Sequence, residues 1–352
     1  MSASYKGILW NRQKRIYDLV LWSLMLLYLL LFVFLNERFY SKITPETLII
    51  RATGTLALLM LHVILSIGPL SRIDRRFLIL LYNRRHFGVS MFFIALIHGV
   101  FNIAQFHSLG NVNPFVSIFT SNTHYTSFIN FPFQVLGFFA LIILLLMAAT
   151  SHDFWLSTLS PRVWKSLHML VYVAYALVIM HVMLGAIQLE HDATLFVLLL
   201  IGMCWLIFLH LYAGWIETRK DHARNQLQPD GYIEVCDVGE IENSRAKIVF
   251  ANDERIAIFK YDEKLSAVSN VCKHQNGPLG EGKIIDGCIT CPWHGYQYNP
   301  EDGCAPPPFK EKIATYDLKL IGEKIFVNPI PNAEGTYVEP VRIVTEDVRD
   351  KM

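Results

Sequence analysis

VCKHQNGPLGEGKIIDGCITCPWHGYQY, residues 271–298, decides how the chain is read. Cys272-x-His274 is followed, after sixteen intervening residues, by Cys291-x-x-His294. Two thiolates and two imidazoles on a pair of short loops suit a [2Fe–2S] cluster with one cysteine-ligated and one histidine-ligated iron. The competing metal is zinc, whose Cys₂His₂ sites place two close cysteines before two close histidines. Here each half supplies one Cys and one His, which fits zinc poorly. Gly277, Gly280, Pro292 and Gly295 add the turn residues that ligand loops need.

This segment resembles a Rieske domain, and CPWHGYQY resembles the soluble Rieske ferredoxins that feed oxygenases. Quinol-oxidising Rieske proteins carry two further cysteines that form a disulfide beside the cluster. Gly277 and Trp293 stand at those positions here, and Tyr296 stands where a serine is common. The resemblance therefore implies fewer hydrogen bonds to the cluster sulfurs and a low potential, because such bonds are a main control on it.

The chain has 352 residues, room for two or three domains. Hydrophobic residues make up 53% and charged ones 17%, too apolar for soluble domains alone. The imbalance is localised: residues 230–352 hold 21 acidic and 14 basic side chains, net −7, and the remainder holds 9 and 17, net +8. The switch falls in ETRKDHARNQLQPD (217–230), read as a linker between a membrane part at 1–216 and a cluster domain at 231–331, with a charged tail at 332–352. Of the six cysteines two are assigned to the cluster, and the rest show no disulfide framework. Cys204, inside an apolar run, is read as a buried small hydrophobe.

The first apolar run, 16–36, is long enough to cross about 30 Å of hydrocarbon. It follows a basic lead-in (Arg12, Lys14, Arg15) but is too long for a secretory signal and has no A-x-A site after it. Further spans are expected near 47–69, 85–106, 132–150, 163–186 and 194–216, giving a membrane α-helical bundle of six transmembrane helices. FLILLY (77–82), between basic clusters, is read as interfacial. Lys and Arg gather at the N-terminus, in 71–85, in 151–165 and after the sixth span, whereas 107–131 and 187–193 hold none. The first outer loop, with Arg38 and Lys42, departs from this trend. The positive-inside rule then puts both termini, and the cluster domain with them, in the cytoplasm.

Ionisable residues inside spans mark function by default, and His62, His98, His168 and His181 lie inside these. Imidazole is a standard axial ligand of haem iron, and helix bundles hold cofactors between facing helices. His168 and His181 are thirteen residues apart, about 20 Å along a helix. Depth pairs His98 with His181 towards the outer leaflet and His62 with His168 towards the inner one. Thirteen residues do not bring two side chains to one face of an ideal helix, so the two pairs need not be oriented alike. His107, His124 and His191 are expected to be solvated loop histidines rather than a metal site, and His152 a helix-entry residue.

GTLALLMLHVILSIGPL (54–70), RRHFGVSMFFIALIH (84–98) and the stretch from Thr150 to His181 resemble the ferric reductase-like transmembrane domain. That family includes NADPH oxidases, ferric reductases and the haem subunit of bacterial methionine sulfoxide reductase systems. The resemblance implies haem-ligand roles for His98, His168 and His181. Arg84 stands where the oxidases carry a fourth ligand, as it does in the bacterial haem subunit. His62 matches no family position and rests on depth alone, with His86 as its rival for the inner site.

From Gly231 onward the pattern changes to short alternating runs punctuated by turn residues, as in an antiparallel β domain. CAPPPF (304–309) is expected to be a third loop beside the cluster or a plain surface turn. No Gly-rich dinucleotide fingerprint lies between a strand and a helix, and about 58 residues after His294 are too few for a mononuclear-iron oxygenase domain. The expected fold is thus a six-helix membrane bundle followed by an all-β Rieske domain. The expected function is transfer of single electrons from a soluble cytoplasmic reductase or ferredoxin, by way of the cluster and two b-type haems, to an extracytoplasmic acceptor or partner enzyme. Reverse flow, from quinol through haem to the cluster and a cytoplasmic oxygenase, is the alternative. A redox sensor and a haem-free transporter are alternatives of other classes, and nothing in the sequence points to nucleic acid.

Overall fold

The computed structural model describes residues 12–39, 43–127, 130–151, 155, 159, 161–187, 193–221, 231–252, 254–274, 276–293 and 295–343. They fall into two compact units, one formed by residues 9–71 and 83–212, the other including 72–82 and 213–352.

The first unit is helical because a chain this apolar can satisfy its backbone in hydrocarbon only within each segment. Its elements are α1 (Arg12–Phe39), α2 (Pro45–Ile73), α4 (Arg84–His107), α5 (Pro114–Thr120), α6 (Phe133–Ala149), α7 (Pro161–Met169), α8 (Val171–Val182) and α9 (Ala193–Asp221), of which residues 213–221 belong to the other unit. The short α3 (Leu78–Tyr82) follows a 3₁₀ turn at Arg75–Phe77 and is no span, as expected for FLILLY. Five described helices are long and apolar enough to cross a membrane: Lys14–Phe39, Pro45–Ile73, Arg84–His107, Val163–Gly185 and Leu195–Arg219. The remaining expected span is α6, whose 17 residues reach about 25 Å, the lower limit for crossing. The fifth span carries a turn at Leu170, where Leu170 N bonds Leu167 O at 3.1 Å, and ends in a π-turn at Met183–Ile187. His168 lies before that turn and His181 after it, so the ideal-helix register between them does not apply.

Two expectations change. Cys204 is exposed on α9 rather than buried, because in a bundle packed by other faces an apolar side chain faces lipid at no cost. His107 is buried, not a solvated loop residue, with Nδ1 2.9 Å from Ser117 Oγ. α5 folds back beneath the loop and covers it: Asn113 caps that helix by accepting from Phe115 N at 2.9 Å, with Pro114 at the first turn. His124 is exposed as expected, and His152 and His191 lie outside the described residues.

The second unit is the antiparallel β domain. Strands β1 (Ile233–Asp237), β10 (Lys324–Val327) and β9 (Leu318–Ile321) form one sheet. A second runs β11 (Val341–Arg342), β4 (Lys264–Ser269), β3 (Glu254–Tyr261), β2 (Arg245–Ala251), with β8 (Thr315–Tyr316) also on β4. A third, small sheet of β5 (Lys283–Ile285), β6 (Cys288–Thr290) and β7 (Gln297–Tyr298) presents the ligand hairpin. Central β3 is buried on both faces: Ile256 and Ile258 enter one apolar cluster, while Ala257 and Phe259 enter another with Cys272, Cys291, Tyr298, Leu279 and Ile289. The cluster-binding end is therefore built directly on the core. The expected boundaries shift at both ends. α9 continues to Asp221, where Glu217 pairs with Arg255 of β3 at 3.0 Å, and residues 222–230 lie outside the described residues. At the other end, residues 332–343 are not a loose tail: Val341 pairs with Leu265, and Val338 N bonds Glu301 O at 2.8 Å. An open edge on β4 takes up the backbone groups that follow Pro331.

Candidate metal centres

Both ligand loops have the same backbone arrangement. In the first, Cys272 N donates to Gly277 O at 2.9 Å and Asn276 N to Cys272 O at 2.7 Å. In the second, Cys291 N donates to Tyr296 O and Gly295 N to Cys291 O, both at 2.8 Å. The fifth residue of each loop has positive φ, +58° at Asn276 and +72° at Gly295, which suits Asn and Gly. The first loop is pinned by buried Asn270, which accepts from Gly280 N at 2.6 Å and receives Leu279 N at 2.8 Å. The second is the turn between β6 and β7.

The loops meet at Gly277: a Cβ there would stand 2.7 Å from Cys291 Sγ and 3.2 Å from the Trp293 indole. The bare glycine lets one loop lie against the thiol of the other. Cys272 and Cys291 are buried, and His274 stacks on Tyr296 with ring centres 4.7 Å apart and planes at 8°, a contact type worth about 0.5–1.5 kcal/mol. His294, the fourth expected ligand, lies outside the described residues. Two buried thiols on facing loops, an imidazole beside them and the glycine contact fit a [2Fe–2S] cluster.

Tyr298, fully buried, has its hydroxyl 3.5 Å from Cys272 Sγ. Burial, then the neighbouring Cys272, pushes its phenol far above the ordinary range, so it stays protonated. With Cys272 bound to iron its thiolate would carry no proton, and the tyrosine would be the donor. Such a bond favours the more negative, reduced state. Tyr298→Phe is therefore expected to lower the midpoint potential by about 60 mV, a tenfold change in a one-electron equilibrium, as read by EPR-monitored redox titration.

In the helical unit, the structure brings His98 and His181 together, with ring centres 6.2 Å apart and planes at 86°. Each Nδ1 is tied to a carbonyl, His98 to Ile50 O at 2.9 Å and His181 to Phe133 O at 2.8 Å. That bond fixes Nδ1 as the protonated nitrogen and leaves Nε2 for a metal. Each ring also lies on a glycine: a Cβ on Gly54 would stand 2.9 Å from His98, and one on Gly137 2.8 Å from His181. This geometry fits a bis-histidine haem.

Among the described residues His62 and His168 make ring contacts with aromatic neighbours, not with each other. His168 has Nδ1 3.0 Å from Trp164 O, stacks on Trp164 at 3.7 Å, and has Nε2 3.5 Å from Ser151 Oγ. His62 has Nδ1 2.9 Å from Leu58 O, and Tyr175 lies 3.1 Å from its Nε2. His86 is held at Nδ1 by Asp18 of α1 at 2.8 Å. Sequence reading missed His210, whose Nε2 is 3.2 Å from Tyr172 OH. The signal that picked out the other histidines, an imidazole inside an apolar run, was equally present there.

Two family descriptions match the chain: ferric reductase like transmembrane component over residues 51–179 and Rieske [2Fe-2S] domain over 231–317. The chain is similar to cholesterol 7-desaturase nvd 1 of Ciona intestinalis, 32% identical over 90 residues, 25% of this chain and 19% of that protein. It is similar to the anthranilate 1,2-dioxygenase ferredoxin subunit of Burkholderia cepacia, 31% identical over 81 residues, 22% of this chain and 73% of that protein. Among solved structures, the complex of reduced oxygenase and oxidized ferredoxin in carbazole 1,9a-dioxygenase matches at 20% identity and TM-score 0.28, over 30% of this chain and 98% of that one. The chain spans about a fifth of the length of the desaturase and of human apoptosis-inducing factor 3.

Proposed function

Because the chain belongs to the Rieske [2Fe–2S] family through its β domain and carries a ferric reductase-like transmembrane component, we propose that it is a membrane electron-transfer protein. It passes single electrons between a cytoplasmic Rieske cluster and two intramembrane b-type haems, and on to an extracytoplasmic acceptor. When bound, both kinds of centre supply one-electron carrier chemistry, and the protein supplies position and electrostatics.

Cys272 and Cys291 hold one iron of the cluster, and His274 and His294 the other. His98 and His181 are the outer haem ligands and His168 an inner one, with His62 as its partner. The observation that carries the reading is the His98–His181 pair, 6.2 Å apart with both Nδ1 atoms anchored. Both imidazoles are half-buried, and the Nδ1–carbonyl bonds leave both Nε2 atoms available to a shared metal. His62 would hold the inner haem through Nε2, the atom that faces Tyr175 OH at 3.1 Å. A second reading places His86 there instead, supported by Asp18 on its Nδ1, the carboxylate–histidine pairing that orients metal-bound imidazoles.

The distribution of Lys and Arg supports a cytoplasmic cluster domain. That side suits a soluble reductase or ferredoxin as donor, and the acceptor lies across the membrane. The test is a dithionite-reduced minus oxidised spectrum of purified protein with pyridine haemochrome and iron quantified. About two haems per chain are expected, by the two-pair reading. His98→Ala or His181→Ala removes one, and the loss of the second with His62→Ala or with His86→Ala decides the inner ligand. Protein that binds no haem would end this reading of the membrane unit.

A further inference from the structure

His274 is half-buried, with its Nδ1 buried. Tyr296 stacks on its ring, 4.7 Å between centres and 8° between planes. The Tyr296 hydroxyl donates to Glu311 Oε2, and Phe309 closes on the same tyrosine at 4.7 Å and 57°. Both partners come from the segment after Gly303, closed by the Cys304↔Lys312 bridge and by Ala305 N to Glu311 O at 2.9 Å. Glu311 Oε2 also receives Lys310 N at 3.1 Å. Burial raises the Glu311 pKa, but the Tyr296 hydroxyl and the backbone donors outweigh it, so the carboxyl is held below its ordinary value and is charged at neutral pH.

We propose that Glu311 and Tyr296 act as a positioning clamp on His274: the stack fixes the plane of the imidazole, and the carboxylate, held through the tyrosine hydroxyl, keeps the cluster's potential low. This rests on His274 being a cluster ligand. The lone pair that binds iron lies in the imidazole plane, so whatever fixes the plane fixes the bond. Reduction adds an electron to a centre close to a fixed negative charge, which opposes it. CAPPPFKEK is then neither a plain turn nor only a shield, but the element that carries the clamp.

The test uses the full-length, cluster-loaded protein in detergent, with EPR-monitored redox titration and pulsed-EPR measurement of the imidazole ¹⁴N couplings. Glu311→Gln is expected to favour reduction about tenfold, a rise of 59 mV for one electron, and to alter the nitrogen couplings. In a Tyr296→Phe background the same substitution is expected to lose more than half of its effect. An unchanged midpoint in Glu311→Gln overturns the proposal. So does an equal shift in both backgrounds, which would make Glu311 a bare charge. Should Tyr296→Phe hold too little cluster to titrate, the couplings in Glu311→Gln decide: altered couplings support the clamp and unchanged ones refute it. Wild-type protein lacking ¹⁴N couplings would remove the ligand assignment itself and the clamp with it.

Discussion

Gly282→Ala protein is expected to be isolated with a cluster content about tenfold or more below wild type, the cost of disturbing the shell that supports a metal site. Gly282 ends the turn at Leu279–Glu281, and a Cβ on it would stand 2.2 Å from Thr290 O and 2.9 Å from Leu279 O. Both are backbone atoms, so no side-chain rotation relieves the clash. Thr290 immediately precedes Cys291, and β5 pairs Lys283 with Thr290. Any movement that makes room for the methyl group therefore carries Cys291 away from the first loop. The Gly282 carbonyl also accepts from Arg245 Nη1 at 3.3 Å, so the displacement loosens β2 from the loop. Iron and acid-labile sulfide per chain measure the result. A stoichiometric cluster in the variant would show that the hairpin can shift without loss of ligation.

Phe259→Ala is expected to destabilise the β domain by about 3–5 kcal/mol, the usual cost of emptying a buried aromatic site. Phe259 is fully buried at the centre of β3, between partners Ala246 and Ser266. It belongs to the same apolar cluster as Cys272, Cys291 and Tyr298. A domain of this size has roughly 5–15 kcal/mol of stability in all. The variant should thus lose its cluster at much lower guanidinium concentration, with the visible absorbance and far-UV circular dichroism falling together. Bleaching at the wild-type midpoint would mean that the core around Phe259 collapses to fill the space.

The Rieske domain was legible because its motif is written in local spacing. Cys272-x-His274 and Cys291-x-x-His294 lie in short loops whose turn residues are neighbours in sequence, and the depth argument joined His98 to His181 because helical rise is constant. Several misreadings concern residues whose environment is supplied from elsewhere in the chain. His107 looked solvated in a polar loop until α5 covered it. Residues 332–343 looked like a charged tail, but the open edge of β4 pairs with them. Tyr175 gives His62 a hydrogen bond that depth alone did not foresee, since the two are 113 positions apart.

The sequence by itself determined the Rieske character of the second half, its alternating strands and the helical character of the first half, because motif spacing, side-chain periodicity and backbone satisfaction in hydrocarbon are local properties. Only the tertiary structure decided which rings share a site and what surrounds them. Gly277 against Cys291 Sγ, Gly54 against His98, and Glu311 reaching His274 through Tyr296 are contacts between different loops or helices. Such contacts depend on close packing of particular side chains, and no spacing rule within one segment encodes them.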